Sequence, residues 1–359
     1  MNYTAHFPFL EKGIYLNTAS IGLISNEVHQ IKKEIDQRYF TDVFQLNLEE
    51  DEIIDQVRET VANYFGSQKE LTALVPSFSY GMNALAEALP SSSKVLLLHS
   101  DYPSVNLPIE SRDLQIYYAS IDEQLEQNIR QALKTNAIDY FIFSEVQFLN
   151  GIVLAEDFLH ELKTEFPNLK LICDATQSAG TRAFNFQNSP FDAYGASAYK
   201  WLHAGWGNGF FLFKEELIQV LEPKSAGSNS KVYKPDGPMR KVGFLEPGHW
   251  NLNPFLSLQT ALQLHFETFG IENMQQEIEE VSHYAFQSFK KRNVLEKSVS
   301  KRAQHANIFN LQLPDQFLDE CIKHNIYCAK RRSGIRVSFH YFNTKEEVDQ
   351  VLKLMNPLN

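Results

Sequence analysis

The sequence contains few cysteines, no long apolar run and no signature of a secreted protein. Its three cysteines, Cys173, Cys321 and Cys328, show no CxxC spacing, so no zinc site, other metal site or disulfide framework is predicted. No apolar run approaches the roughly 20 residues that span a bilayer. The opening stretch MNYTAHFPFLEKG has neither the basic nor the apolar region of a signal peptide. We therefore expect a cytoplasmic protein that has no membrane partner.

Positive charge is also scarce. The 359 residues include 33 Lys and Arg against 44 Asp and Glu, a net charge of −11, which argues against a surface for nucleic acid or anionic membranes. No Walker-type glycine pattern indicates a nucleoside triphosphate site. An anionic ligand must therefore be held by a local cluster of donors. The hydrophobic fraction of 43% is typical of a folded protein with a substantial core.

Short apolar segments rich in β-forming residues alternate with helical patterns through the middle of the chain. This alternation predicts an α/β fold, with a mostly parallel sheet covered by helices on both faces. Sheets of this kind bind ligands beyond the carboxyl ends of their strands. The predicted strands are Leu71–Val75, Lys94–His99, Gln115–Ala119, Tyr140–Phe143, Leu169–Cys173, Ala193–Ala198 and Phe210–Phe213.

Helical patterns flank this region on both sides. Asn26–Tyr39 and Glu49–Phe65 precede it, and the pattern of Pro254–Arg292 predicts one or two long helices with a break at Gly270. The last hundred residues mix helix and strand, which predicts a smaller α+β domain. The predicted units are an N-terminal segment packed on the small domain (1–14), a large domain (15–253), and a linker helix with the small domain (254–359).

Lys200 follows a predicted buried strand, in the stretch SAYK at 197–200. A lysine at this place can be an ordinary solvated charge just past a strand. It can also be a desolvated amine, whose lowered pKa makes it nucleophilic toward an aldehyde and suited to a Schiff base. Lys200 is therefore the first candidate for a catalytic residue.

Asp174 directly follows another predicted buried strand, Leu169–Cys173. A carboxylate at such a position can be a metal ligand, a helix N-cap or the partner of a protonated pyridine nitrogen. In the last case it makes the ring of the cofactor an electron sink. Gln177, three residues further on, could then hydrogen-bond a phenolate oxygen on the same ring.

Three further segments carry candidate binding residues. Ser79, in PSFSYGMN at 76–83, lies where a strand leads into a helix, so it could help to bind a phosphate or could simply cap the helix. Tyr102, after the strand Lys94–His99, could lie flat on a cofactor ring. Arg336, in SGIRVSF at 333–339, could grip an α-carboxylate with two parallel hydrogen bonds or pair with a nearby acid.

Together and in this order, these segments resemble the class V aminotransferase family of enzymes that depend on pyridoxal 5′-phosphate (PLP). The family includes cysteine desulfurases, kynureninase and isopenicillin N epimerase, and the resemblance covers almost the whole chain. YLNTAS at 15–20 is similar to its opening motif, and NTKEEVD at 343–349 to the start of its closing helix. The most specific parts are DATQ at 174–177 and SAYK at 197–200. The resemblance implies PLP fold type I and PLP as the cofactor.

The resemblance also implies a role for each candidate residue. Lys200 would carry the internal aldimine and move the proton, Asp174 would pair with the pyridinium nitrogen, and Arg336 would bind the substrate carboxylate. Tyr102 would stack on the ring, although the neighbouring Pro103 is an alternative aligned position. The other implied cofactor contacts are the Phe78 backbone, Ser79, Ser197 and Tyr199 for the phosphate, Gln177 for the phenolate oxygen, and Ser144.

The stretch EPGHWN at 246–251 is similar to the family segment that reaches the phosphate of the neighbouring subunit. The resemblance therefore implies a homodimer with shared active sites. His249 or Asn251 would be the donor from the partner.

Two departures from the family pattern bear on the reaction. Cysteine desulfurases need a nucleophilic cysteine just before the carboxylate-binding Arg, and AKRRSGI at 329–335 has none; Cys328 is better explained as a small core residue. The added cofactor-contacting Trp of kynureninase has no counterpart near 226–229. The resemblance therefore favours an aminotransferase that acts on a small amino acid. The alternatives are a lyase of the kynureninase or selenocysteine-lyase type, an epimerase, and a non-catalytic binding protein.

Overall fold

The strands that the sequence predicts lie in one large sheet at the centre of the protein. The computed structural model describes residues 1–231, 238–332 and 334–355. In chain order, the strands of this described part are β1 (Ile14–Tyr15), β2 (Thr72–Val75), β3 (Lys94–Leu98), β4 (Gln115–Ala119), β5 (Tyr140–Ser144), β6 (Lys170–Asp174), β7 (Ala193–Ser197), β8 (Gly209–Phe213), β9 (Ile308–Leu311), β10 (Ile326–Tyr327), β11 (Ala329–Arg331) and β12 (Gly334–Ser338).

Helices precede, separate and follow these strands. In chain order they are α1 (Asn26–Thr41), α2 (Val43–Phe65), α3 (Phe78–Ala88), α4 (Pro103–Glu110), α5 (Leu125–Thr135), α6 (Glu156–Glu165), α7 (Glu215–Ile218), α8 (Leu252–Gln263), α9 (Ile271–Lys291), α10 (Lys297–Ser300), α11 (Asp315–Lys323) and α12 (Lys345–Met355). A π-helical segment, Leu264–Phe269, separates α8 from α9. Of the helices in the described ranges, none combines the length and the apolar character needed to cross a membrane.

The large sheet has the strand order β2-β8-β7-β6-β5-β3-β4. Its strands pair in parallel except at β8, which is antiparallel to both β7 and β2. Apolar layers cover both faces, because Val95 and Leu97 of β3 pack into one buried cluster and Leu96 and Leu98 into another. The predicted α/β fold, with its helices on both faces of a mostly parallel sheet, is confirmed.

A smaller antiparallel sheet lies in the carboxyl-terminal part of the chain, in the order β11-β12-β9. A third apolar cluster joins β9 and β12 to α9, α11 and α12. The N-terminal residues pack on this part, since β1 pairs in parallel with β10 and Tyr3 contacts the rings of Phe269 and Tyr341. These contacts agree with the predicted units 1–14, 15–253 and 254–359, and the division itself stays a prediction.

The fold adds detail to the prediction at two places and agrees with it at a third. The segment Ile326–Arg331, in the region predicted to mix helix and strand, forms two short strands, because β10 pairs with β1 and β11 pairs with β12. Helix α4 has no counterpart among the predicted elements; Pro103, whose fixed φ suits the first helical position, begins it. The break at Gly270 is confirmed, since Gly270 takes a φ of 75° between the π-helical segment and α9.

A buried ion cluster joins the segment before α8 to the large sheet. The carboxylate of Glu246 accepts hydrogen bonds from Arg58 at 2.5 and 3.1 Å and from the Leu74 amide in β2 at 2.6 Å. The guanidinium of Arg240 lies 2.8 Å from the same carboxylate. Because the side chain of Glu246 is fully buried, its removal would leave two cations without their partner in the interior.

We expect Glu246→Ala to lower the free energy of unfolding by about 3–5 kcal/mol, because it leaves uncompensated charge in the interior. Glu215→Ala is the matched control, since it removes the exposed Lys241–Glu215 pair and should cost less than about 1 kcal/mol. Urea denaturation of both variants measures the difference. Equal midpoints for the two variants would show that the Glu246 cluster is not a main source of stability.

Candidate active site

The carboxyl ends of β5, β6 and β7 lie side by side and bring several predicted site residues together. Ser144 and Asp174, the last residues of β5 and β6, are paired in register. Asp174 is paired in turn with Gly195 of β7, two residues before Ser197. A small pocket opens at this edge of the sheet, as expected for parallel strands. It is lined by Tyr102, Ser144, Val146, Phe148, Asp174, Thr176, Gln177 and Lys200.

Lys200 is buried at this edge, with 5% of its surface exposed. Its Nζ lies 5.5 Å from the centre of the Tyr102 ring. Burial lowers the pKa of Lys200 to about 7; the Asp174 carboxylate opposes this shift, and the positive charge of Arg336 adds to it. The alternative of a solvated surface lysine is therefore wrong. The amine is largely neutral just above pH 7, which is the form that attacks an aldehyde.

Asp174 is buried as well, with 4% of its surface exposed. Its Oδ1 accepts a hydrogen bond from the Thr176 amide at 2.8 Å. Burial raises the pKa of Asp174 to about 6, and the Thr176 bond and the positive charge of Lys200 limit this rise. No α-helix begins at this residue, so the helix N-cap alternative is wrong. A buried carboxylate facing a cationic partner fits a protonated ring nitrogen.

The side-chain amide of Gln177 is fixed by two hydrogen bonds. Its Nε2 donates to the Ala19 carbonyl at 3.0 Å, and its Oε1 accepts from the indole N–H of Trp201 at 2.8 Å. Since an amide nitrogen carries two hydrogens, one remains for a ligand in the pocket. The predicted hydrogen bond from Gln177 to a cofactor oxygen is compatible with this arrangement.

Three of the four predicted phosphate-binding residues, Phe78, Ser79 and Ser197, meet at the N-terminus of α3. The Phe78 amide donates to Ser197 Oγ at 2.8 Å, and Ser79 Oγ donates to Ser104 Oγ at 2.7 Å. The residue that caps α3 is Ser77, whose Oγ accepts from the Tyr80 amide, so the N-cap alternative for Ser79 is wrong. An amide and two hydroxyls at a helix N-terminus form a suitable environment for a phosphate.

The two tyrosines of the predicted site both precede Lys200 in the sequence and lie close to its Nζ in space. The Tyr199 ring centre is 5.7 Å from Lys200 Nζ, and burial raises the pKa of Tyr199 to about 12, so its hydroxyl is neutral. Tyr102 begins α4 and meets the ring of Phe148 edge-on at 5.2 Å. Tyr102, rather than the alternative Pro103, lines the pocket beside Lys200.

Asp101 is a site residue that the sequence argument missed. Its two carboxylate oxygens accept hydrogen bonds from the Tyr102 and Ser144 amides, at 2.7 and 2.8 Å. It therefore holds the start of α4 against the end of β5. Burial raises the pKa of Asp101 despite these bonds. The only signal for Asp101 in the sequence was an acidic residue close to the end of a predicted strand. Asp174 shows the same signal.

Arg336 lies in β12 with only 3% of its surface exposed. Its Nη1 donates to the Phe148 carbonyl and its Nη2 to Ser20 Oγ, each at 2.6 Å. The alternative pairing with a nearby acid is wrong for the described residues, among which Arg336 forms no salt bridge. A second residue that the sequence argument missed, Arg331, donates to the same Ser20 Oγ at 2.8 Å.

His249 and Asn251 lie elsewhere, on the surface beside α1 and α2. The Nδ1 of His249 is 3.6 Å from a carboxylate oxygen of Glu50, and Asn251 Oδ1 caps α8 by accepting from the Asn253 amide. Both line a surface cavity of about 900 Å³. They are not among the residues that line the Lys200 pocket, so a role at the phosphate requires a second copy of the chain.

Comparisons with known proteins agree with this geometry. The model of the family described as "Aminotransferase class-V" matches residues 14–351. An uncharacterized aminotransferase, YcbU, of Bacillus subtilis (strain 168) is 23% identical over 302 residues, which are 81% of this chain and 80% of that protein. Isopenicillin N epimerase of Amycolatopsis lactamdurans is 22% identical over 340 residues, 84% of each chain.

Solved structures show the same fold. An apo cysteine desulfurase of Thermococcus onnurineus NA1 has a TM-score of 0.83 at 18% identity. The match covers 99% of this chain and 97% of the desulfurase chain. A C-DES mutant with glycine covalently linked to the PLP cofactor has a TM-score of 0.87 at 17% identity, covering 98% of both chains. The predicted fold type is thus confirmed. Since the family model spans nearly the whole sequence, this chain belongs to the class V aminotransferase family of PLP-dependent enzymes.

Proposed function

We propose that this chain is an aminotransferase that acts on a small amino acid, with Lys200 as the residue that binds PLP covalently and moves the proton. The observation that carries the proposal is the burial of Lys200 beside the buried carboxylate of Asp174. In water a lysine has a pKa near 10.4 and is almost wholly protonated at neutral pH. Here burial lowers the pKa of Lys200 to about 7, so the amine can both give and take a proton.

PLP, when bound, supplies a conjugated ring that takes up the electrons of a bond broken at the substrate α-carbon. The residues of the pocket fit this group. Asp174 would hold the proton on the ring nitrogen, and the Thr176 amide keeps its carboxylate in place. Tyr102 would cover one face of the ring, because its own ring already lies beside Lys200 Nζ.

The phosphate would lie at the N-terminus of α3. The Phe78 amide and the hydroxyls of Ser79 and Ser197 are there, and the positive end of the helix dipole favours an anion. These proposed phosphate donors lie close to the carboxyl ends of β2 and β7.

Arg336 would bind the α-carboxylate of the substrate. Two hydrogen bonds, to the Phe148 carbonyl and to Ser20, hold its guanidinium in place. A planar guanidinium in a fixed orientation can accept a carboxylate with two parallel bonds. The charge of Arg336 also lowers the pKa of Lys200.

The cysteines disfavour a desulfurase reaction. Cys173 is buried within β6, and Cys321 and Cys328 interact with each other in the carboxyl-terminal apolar cluster. None of the three lines the pocket at Lys200. An epimerase and a C–S lyase are remaining alternatives, because a relative and a structural neighbour carry such names, and the resemblance to kynureninase adds a C–C lyase. Product analysis with a panel of amino acids separates them: a keto acid indicates transamination, a D-amino acid epimerisation, and a released side-chain fragment lyase chemistry.

We expect Lys200→Ala to abolish turnover and to prevent borohydride from fixing PLP covalently to the protein. Lys214→Ala is the matched control, since Lys214 is a partly buried lysine of the same domain whose Nζ bonds the Ser189 carbonyl. Visible absorbance, followed by borohydride reduction and peptide mass mapping, should locate PLP on Lys200 in wild type and in the control. PLP fixed to another lysine, or a wild-type spectrum that no amino acid changes, would refute the proposal.

We also propose that the active protein is a homodimer. Four apolar side chains at the junction of α1 and α2, here called the α1–α2 patch, are exposed: Tyr39, Phe40, Val43 and Phe44. Three of them line the same surface cavity as His249 and Asn251. An exposed apolar patch beside His249 and Asn251, which the resemblance assigns to the site of a neighbouring subunit, supports a contact with a second copy.

Phe44→Glu should convert the dimer to a monomer and weaken PLP binding, because it places a charge in the apolar contact. Phe266→Glu is the matched control, because Phe266 is 66% exposed, comparable to the 75% of Phe44, and lies on the π-helical segment outside the α1–α2 patch. Light scattering measures the mass of each variant, and PLP titration its affinity. A wild-type monomer, or a dimer that survives Phe44→Glu, would contradict the proposed interface.

A further inference from the structure

Two arginines of the carboxyl-terminal sheet converge on a single hydroxyl group at the active site. Arg336 Nη2 donates to Ser20 Oγ at 2.6 Å, and Arg331 Nη2 donates to the same oxygen at 2.8 Å. The hydroxyl of Ser20 itself donates to Asn17 Oδ1 at 2.6 Å. One neutral oxygen therefore serves two cations, one of which is buried.

The register of the β11–β12 hairpin explains why these side chains meet. Arg336 is directly opposite Ala329, and Arg331 is two residues beyond Ala329 on the same strand. Residues two apart on a strand point to the same face, so the two arginines are diagonal neighbours, with a spacing of about 7–8 Å between them. Their side chains can converge on one oxygen or hold two groups a short distance apart.

The positive charge of this pair is not balanced by acids. Among the described residues, neither guanidinium lies within 4.0 Å of a carboxylate oxygen. Arg331, Tyr199 and Tyr102 act electrostatically on Arg336, and Arg336 in turn acts on Lys200. Burial and the charge of Arg331 lower the pKa of Arg336 to about 9. A pair of arginines in this state is stabilised by anions that enter the site.

One α-carboxylate cannot satisfy both arginines fully. A carboxylate offers two oxygens and pairs best with one guanidinium in a fork-to-fork arrangement. The phosphate of the cofactor is assigned to the N-terminus of α3, where its own donors lie. Both arginines also lower the pKa of Lys200, so an anion bound between them would offset this effect on the reacting amine.

We propose that the substrate is an α-amino acid with a second anionic group on its side chain, and that Arg331 binds this second group while Arg336 binds the α-carboxylate. The inference rests on the proposed function and specifies its substrate class. Both guanidinium groups reach the same Ser20 oxygen, so they are close enough together to bind the two carboxylates of a short acidic amino acid such as aspartate or glutamate. Arg331 is thus a specificity-determining residue.

The test compares isosteric amino acids on the PLP-loaded enzyme. L-Aspartate and L-glutamate should react with a kcat/KM about 10- to 100-fold above that of L-asparagine and L-glutamine, the span of one hydrogen bond to a charged group. Arg331→Gln should remove this preference by slowing the acids only. Arg331→Lys, which keeps a positive charge, should retain part of the preference for the acids. Arg332→Gln is the matched control, because Arg332 is the exposed next residue and should leave the preference unchanged.

A binding measurement without turnover gives a second readout. Calorimetric titration of the PLP-loaded enzyme should show that succinate, a dicarboxylate without an amine, binds more tightly than butyrate, its monocarboxylate counterpart. Arg331→Gln should abolish this difference. If Arg331→Gln does not fold, the wild-type comparisons of aspartate with asparagine and of succinate with butyrate are sufficient to test whether the site binds a second anionic group.

The outcomes separate this inference from the proposed function. If Arg331→Gln slows aspartate and asparagine equally, both arginines bind the α-carboxylate and the inference is wrong, while the proposed function stands. Equal kcat/KM values of the wild type for the acids and the amides would also overturn the inference. If no amino acid changes the spectrum of the PLP-loaded enzyme, the proposed function itself fails.

Discussion

Burial of Lys200 at the end of β7 is the condition on which the chemistry of this site depends. An amine that stays in water is protonated and unreactive at neutral pH, so the surrounding chain has to exclude water from it. The N-terminal residues contribute to this exclusion. The Gly22 amide donates to the Tyr199 carbonyl at 2.8 Å, and a Cβ on Gly22 would lie 2.0 Å from the Lys200 carbonyl oxygen. Only glycine allows this close approach.

The same burial would be unfavourable without a charged partner, and the parallel sheet supplies one. Adjacent strands end at the same edge, so Asp174 at the end of β6 lies near the residue that follows β7. Thr176 links the two strand ends, because its amide donates to Asp174 and its hydroxyl accepts from the Ser197 amide. Asp101 fixes β5 and α4 in a similar way. The backbone of the sheet thus determines where the charges lie.

Much of this arrangement could be predicted from the sequence, because it follows from strand ends. Lys200, Asp174 and Tyr102 each lie within three residues of the end of a predicted strand, and parallel strands bring such residues to one edge. Arg331 could not be predicted in the same way. Its position next to Arg336 depends on the register of a hairpin, and its contact with Ser20 joins residues more than 300 positions apart. His249 could be placed only through the resemblance, since no local pattern indicates a contact between subunits.

The most direct test of this account is the pH dependence of covalent PLP capture by the apoenzyme, measured against capture by a lysine in a short unstructured peptide. Burial lowers the pKa of Lys200 to about 7, so its neutral fraction rises as the pH rises through 7 and is nearly complete by pH 9. The capture rate relative to the peptide should therefore be greatest below about pH 7 and should fall above it, because the neutral fraction of Lys200 levels off while that of the peptide lysine keeps rising. Asp174→Asn should shift the midpoint to lower pH, since the Asp174 carboxylate favours the charged amine. A capture rate that follows the peptide up to pH 10 would contradict the account.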